Sequence, residues 1–359
     1  MKSVASILSR LFGDWTQEVN ARSLRSDTIA GLLGAMLVLP QAIAFAMLAG
    51  LPPQYGLYTA IVPCVIAAMF GSSRHVMSGP TNALSLALFA MLTPLAIAGS
   101  SEYIQLALTV TIMVGLIQAA IGLLKLGMLA NFISPAVLGG FTSGAAVLIA
   151  LHAVGDAIGV KATNVSGAIA TASFYVSHLD AIAWASLIVS LSTAASALIV
   201  KRFLGARWPY MLVGLLIGAL IGVALNALTT PASWGDVQQV GRIPSAIPQL
   251  QLPTVNWDQL PELFGIAFAL SIVALGQSTS IAKALGLRSG QIIDPNKEFW
   301  GQGLSNIVGG FFSSYVSCGS LNRSLPNFEA GAKTPLASVA SALILISAVA
   351  LFGSALAFL

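Results

Sequence analysis

The sequence predicts an all-α polytopic membrane protein, on composition, on the recurrence of apolar runs, and on one arginine in an apolar setting. Of the 359 residues 57% are hydrophobic and only 8% charged, with a mean hydropathy of +0.88. A soluble domain carries about 25% charge. Apolar runs long enough to cross a bilayer as helices recur along the chain. Within Val316–Pro326, Arg323 stands between two strongly apolar segments. Arginine near a bilayer centre costs roughly 2.5–3.5 kcal/mol on insertion scales, so a residue placed there faces a cavity or a partner.

The same composition narrows the function classes. Cys64 and Cys318 suggest no disulfide framework. His75, His152 and His178 are scattered without metal-ligand spacing, so neither a metal nor a cofactor is predicted. A membrane enzyme would want a nucleophile–base pair or a metal cluster within the membrane, and none is visible. The pI near 9.2 is accounted for by topology rather than by nucleic acid. Residues 1–26 form a polar N-terminal segment without an h-region. Its Leu8, Leu11, Phe12 and Trp15 are spaced like an interfacial helix, and a plain surface helix fits equally well.

In chain order, apolar segments fall near 28–48, 55–70, 79–98, 103–124, 131–151, 180–200, 208–228, 262–282, 297–313, 320–332 and 336–358. With the N-terminus inside, thirteen Lys and Arg residues fall on the inner side, only Lys161 and Arg242 outside, and Arg323 within the membrane. That asymmetry sets the orientation. The Pro-rich 229–260 segment is then an extracytoplasmic loop. The segments at 79–98 and 320–332 are broken by Gly, Pro and hydroxyl residues, and a matched pair of broken segments points to a transporter's binding site.

Two halves are related. Gln41-x-x-Ala-Phe-Ala-x-x-x-Gly50 is echoed by Gln277-x-x-Ser-Ile-Ala-x-x-x-Gly286, each followed by a Pro-initiated helix (Pro53, Pro295) and then a broken segment. Seven spans separate the copies, so the second is inverted in the membrane. The predicted domains are 27–228 as the first repeat and 261–359 as an incomplete second repeat.

At the second break, Ser317, Gly319, Ser320 and Ser324 suit an extended backbone, and Pro326 suits the first turn of a helix starting there. Such a helix aims free N–H groups and about half a positive charge forward. Arg323 adds a full charge and fixed donors. An anion site follows, although an arginine lining a structural interface fits the same residues. Glu329 and Lys333 have helical i,i+4 spacing.

The stretch from Leu39 to Tyr58 (LPQAIAFAMLAGLPPQYGLY) resembles the first-helix signature of the sulfate permease family of anion transporters. So do Gly71-Ser-Ser-Arg-His75 with Gly79-Pro80, Ile293-Asp-Pro-Asn-Lys-Glu298, and Gly319-Ser-Leu-Asn-Arg-Ser324 with Gly331-Ala-Lys-Thr-Pro335. The resemblance runs from about residue 25 to the end. It implies a seven-plus-seven inverted-repeat transporter fold in which two half-helices meet at mid-membrane. Spans 1–4 and 8–11 form a core, spans 5–7 and 12–14 a gate, and a cytosolic STAS domain usually follows. The sequence stops near span 11, so transport is expected to need a longer chain, which the family resemblance implies is a homodimer.

The resemblance also implies roles. The substrate, a small anion, sits between the half-helix N-termini. Gln41 offers an amide, Phe45 an apolar wall, Thr81 and Asn82 donors on one tip, and Ser320, Asn322 and Arg323 donors on the other. Gln277 stands where the family often has a glutamate that carries protons, so coupling to H⁺ at this position is not expected, and exchange, a Na⁺ route or channel-like conduction remain. Helix packing also accounts for Phe45, an interhelical hydrogen bond for Gln41, and helix capping for Thr81 and Asn82. A nucleobase carrier of similar architecture would want an acidic pair where Gln277 and the Arg323 stretch stand. A protein of the same fold acting as a channel, or as a non-transporting motor or scaffold, would bind the anion without alternating access.

Overall fold

The computed structural model describes residues 12–127, 135–160, 167–205, 210–228, 245–254 and 257–356. Leu8, Leu11, Lys161 and Arg242, used above, lie outside them, as does most of the 229–260 segment.

The first repeat opens with α1 (Ala21–Leu48). Asn20 caps it, accepting from the N–H groups of Arg22 and Ser23, while the Ser23 hydroxyl accepts from Asn20 N–H. That reciprocal box starts the helix before the apolar run begins. Next come α2 (Pro53–Phe70, proline at its first turn), the two-residue strand β1 (Ser78–Gly79), the short α3 (Asn82–Leu92) and α4 (Ser101–Leu123). The second repeat follows the same order. It runs α9 (Leu260–Ser289), α10 (Pro295–Phe311, again Pro-initiated), β2 (Cys318–Gly319), the short α11 (Leu321–Glu329) and α12 (Leu336–Leu356). Between these two runs, still within the segment read as the first repeat, lie α5 (Pro135–Ile158), α6 (Ala168–Ser177), α7 (Trp184–Leu204) and α8 (Tyr210–Leu228). The ten-residue α6 is not among the segments read from hydropathy, because it is too short to register as a span. Among the described residues, six helices are long and apolar enough to cross a membrane.

The chain forms two compact units, residues 1–139 with 244–351 and residues 140–243 with 352–359. The division interleaves the repeats instead of separating them: the first unit takes α1–α4 and α9 through most of α12. In it α10 packs on α4 and α2, and α4 packs on α9. The α4–α10 contact is backbone-close, since a Cβ at Gly115 would stand 2.5 Å from Ile307 N. In the second unit α7 packs on α8, and Lys201 Nζ lies 5.4 Å from the Tyr210 ring centre.

Three sequence readings need correction. From Phe12 onward the N-terminal stretch does not continue as an amphipathic helix. Gly13 (φ +118°) breaks it, Asp14–Glu18 form a single 3₁₀ turn, and Trp15 is buried in the protein. Phe12 stacks 5.5 Å from Phe70, and Lys297 Nζ donates to Phe12 O. Second, Pro326 does not start α11. Ser320 caps it, its carbonyl accepting from Arg323 and Ser324 N–H, so the helix begins five residues earlier and Pro326 lies inside. Third, α11 ends at Glu329, so Lys333 is not its helical partner.

Candidate functional site

The two repeats meet where β1 and β2 pair antiparallel, Ser78 opposite Gly319 and Gly79 opposite Cys318. From this crossing the chain turns into α3 and α11. Neither helix is long enough to span a membrane alone. Each begins at a hydroxyl residue, Thr81 and Ser320, whose side chain makes no capping bond. Orphan N–H groups at both starts are therefore left for another acceptor, and each helix end carries partial positive charge. Three N–H groups at these starts are already taken: Ala83 by Asn82 Oδ1 at 2.8 Å, Ser320 by Met77 O at 3.1 Å and Arg323 by Ser320 O at 3.3 Å.

Arg323 lies at this crossing, 1% exposed. Its Nη1 donates to Pro80 O at 2.8 Å, while Nε and Nη2 have no partner. Gly79 makes room for it: a Cβ there would stand 3.0 Å from Nη2. The guanidinium thus sits behind the tips instead of projecting from them. Asn82, Leu321 and Asn322 are the exposed residues at the tips, whereas Thr81 and Ser320 are buried. Residues 28–101, 263–293 and 299–328 contain no Asp or Glu. One buried arginine and two helix N-termini consequently add up to an uncompensated positive site.

Both α1 and α9 pack against both short helices. That brings the remaining predicted residues alongside. Gln41 and Phe45 on α1 and Gln277 on α9 are half-buried, and Gln41 Oε1 is a buried acceptor without a partner. All eight residues named from the sequence belong to the elements that meet here.

Several further polar residues hold the site together, some of them inside the signatures quoted above. Asp27 on α1 accepts from Lys333 N–H, Thr334 N–H and the Thr334 hydroxyl. Glu298 on α10 accepts from Ser72 and Ser73 N–H. Each carboxylate fastens a loop of the other repeat that flanks a short helix. Both are buried in the protein. Ser324 Oγ accepts from Met77 N–H, Asn327 Nδ2 donates to His75 O, and the Ser85 hydroxyl meets Tyr315 OH at 2.9 Å. Only spacing from the breaks, read together with the Ile293–Glu298 and Gly331–Pro335 signatures, would have pointed to these positions.

Fold and site together define a class: polytopic membrane proteins built from two inverted repeats whose short helices meet at a buried charge. The comparisons narrow it. The chain belongs to the sulfate permease family, whose family model matches residues 24–359. It is 34% identical to low affinity sulfate transporter 3 of Stylosanthes hamata over 97% of this chain and 56% of that protein. It is 32% identical to the chloroplastic sulfate transporter 4.1 of Arabidopsis thaliana over 89% of this chain and 46% of that one. The chain thus spans about half the length of these curated relatives. Among solved structures it resembles the transmembrane domain of a cyanobacterium bicarbonate transporter, BicA (TM-score 0.83, 25% identity, 95% of this chain and 86% of that one). The murine Slc26a9 anion transporter in its inward-facing state gives a TM-score of 0.85 at 23% identity, covering 98% of this chain and 61% of that one.

Proposed function

We propose that the protein is a secondary transporter of small anions, sulfate first and bicarbonate or a dicarboxylate next, working by alternating access. One observation carries this reading. Two uncapped helix N-termini and a buried arginine with two unpartnered nitrogens converge where the surrounding segments hold no acid. An anion supplies the missing charge and accepts from the orphan N–H groups. Asn82 and Asn322 offer amides at the exposed rim, the half-buried Gln277 and Gln41 further amides, Thr81 and Ser320 hydroxyls behind them, and Phe45 an apolar wall that limits size. Related proteins named for sulfate and bicarbonate support the choice of anions.

The finer statements belong to the same proposal: an N-terminus on the cytoplasmic side, a homodimer, and coupling that does not run through a protonated side chain at position 277. The absence of an acidic pair weighs against a nucleobase carrier. Calorimetric titration of the purified protein with sulfate and with bicarbonate tests the reading, followed by uptake of both labelled anions into proteoliposomes with and without H⁺ and Na⁺ gradients. Saturable binding and uptake support it. Binding without flux through the whole protein would make it an anion-binding motor or scaffold, flux that does not saturate would make it a channel, and no binding of either anion would sink the reading altogether.

A further inference from the structure

Behind β2 lies a buried hub of side-chain amides that touches neither tip yet holds both strands. Gln302 and Asn306 sit one turn apart on α10, each 1% exposed or less. Gln302 Nε2 donates to Ser317 O at 3.1 Å and to the Ser317 hydroxyl at 3.2 Å. Its Oε1 accepts from Ser78 Oγ at 2.9 Å, at the start of β1, and from Ser278 Oγ at 3.4 Å, next to Gln277. Asn306 Oδ1 accepts from Ser317 N–H and hydroxyl, while Nδ2 donates to Ser317 O and to Gln118 Oε1 on α4. Ser278 Oγ in turn accepts from Gly319 N–H. Two side chains thus saturate the backbone of Ser317 and connect β1, β2, α4 and α9.

The first repeat has no counterpart. Counted from the helix-starting prolines, Ala60 and Cys64 on α2 stand where Gln302 and Asn306 stand on α10. Room left by that small residue serves Arg323: the Cβ position of Gly79 lies 3.0 Å from Nη2 and 3.6 Å from the Ala60 Cα. The pairing of the strands is therefore braced from one side by amides and from the other by the guanidinium.

We infer that Gln302 and Asn306 are positioning residues that set the separation of the two short-helix N-termini and, through it, the preference among anions. The inference rests on the anion reading above. Its physical basis is that fixed donors discriminate by distance: sulfate is tetrahedral and divalent, bicarbonate planar and monovalent, and donors spaced for one are misplaced for the other. A buried amide hub fixes that spacing because loss of any partner leaves a desolvated polar group unpaired.

The test is the ratio of sulfate to bicarbonate Kd, measured by calorimetry on the purified full chain as wild type, Gln302→Met, Asn306→Leu, Ser78→Ala and Leu108→Ala. The first two should move the ratio about tenfold, and Ser78→Ala, which removes one hydroxyl from the hub, about threefold. Leu108→Ala opens the core on α4 without removing any hydrogen bond of the hub; it should lower the melting temperature and leave the ratio where it was. Hub variants that bind both anions with the wild-type ratio overturn the inference, however much they lower stability. Where the larger changes do not yield folded protein, Ser78→Ala decides alone, and an unmoved ratio there is equally fatal. Failure of the wild type to bind either anion is a separate outcome, visible before any variant is made, and removes the functional reading together with this one.

Discussion

Set side by side, the β1–α3 and β2–α11 halves share a backbone plan and differ in what holds it. The start of α11 is tied down by its own repeat, through Gln302, Asn306 and Ser278. The start of α3 is tied down by the other one: Arg323 grips Pro80 O, Ser324 takes Met77 N–H, and Tyr315 reaches Ser85. One tip is therefore held mainly from within, with Ser320 N–H to Met77 O as a bond across the repeats, and the other is borrowed. Inverted repeats make the backbone symmetrical, but a single positive charge cannot be, and the side chains have diverged around it.

The sharpest way to break this comparison is to remove the borrowed support. Arg323→Ala should weaken anion binding by about a hundredfold, since it takes away both the charge and the anchor of α3. Arg323→Lys restores charge without the fork and should recover only part of that loss. Calorimetric titration of both variants separates the two contributions; equal affinities for Lys and wild type would show that the guanidinium fork is dispensable.

Next in size come the crossed carboxylates. Asp27→Asn loses more than Glu298→Gln, because Asp27 holds three donors and Glu298 two. Each change should cost about 1–3 kcal/mol in a thermal or denaturant melt. The opposite order would place the greater load on the loop that precedes α3.

Gln277→Glu sharpens the comparison chemically. It introduces a titratable group alongside an otherwise acid-free site, so anion binding should weaken as pH rises through its titration, with the ionised carboxylate repelling the ligand. A variant whose binding stays flat between pH 5 and 9 would place Gln277 away from the ligand.

The smallest expected effect concerns His75, in the connection between α2 and β1. Burial, aided by Arg74, pushes its imidazole down to about 4. The folded protein keeps His75 neutral where the unfolded chain is already protonated, so the unfolded state binds more protons between about pH 6.5 and 4. Stability should therefore decline as pH falls through that window. His75→Gln should flatten that part of the melting-temperature profile, and an unchanged slope would assign it elsewhere.

Much of this fold is legible in the sequence because its punctuation is chemical. Pro53 and Pro295 start helices, Gly and hydroxyl residues mark both breaks, and Gln41 and Gln277 mark the repeat. The start of α11 was misread because Pro326 offered a stronger helix-start signal than Ser320, whose capping role depends on a carbonyl that no sequence displays. The hub and the crossed carboxylates are illegible for a related reason. Gln302 and Asp27 look like ordinary polar residues near apolar segments until the other repeat supplies their partners. The N-terminal turn shows the same limit: the Phe12 ring meets that of Phe70 and Trp15 is buried in the protein, contacts that helical spacing alone does not display.

The strand pair has a consequence for how the protein is made. Met77 and Ser324, which bond directly beside it, are 247 residues apart. At about 5–20 residues per second, synthesis takes roughly 12–50 seconds to deliver the second partner after the first. Through that interval the ribosome has released β1 and the start of α3 with their polar backbone unanswered in an apolar setting. The first half of the chain must therefore be sheltered by the insertion machinery, or wait outside the lipid, until its inverted copy arrives to complete it.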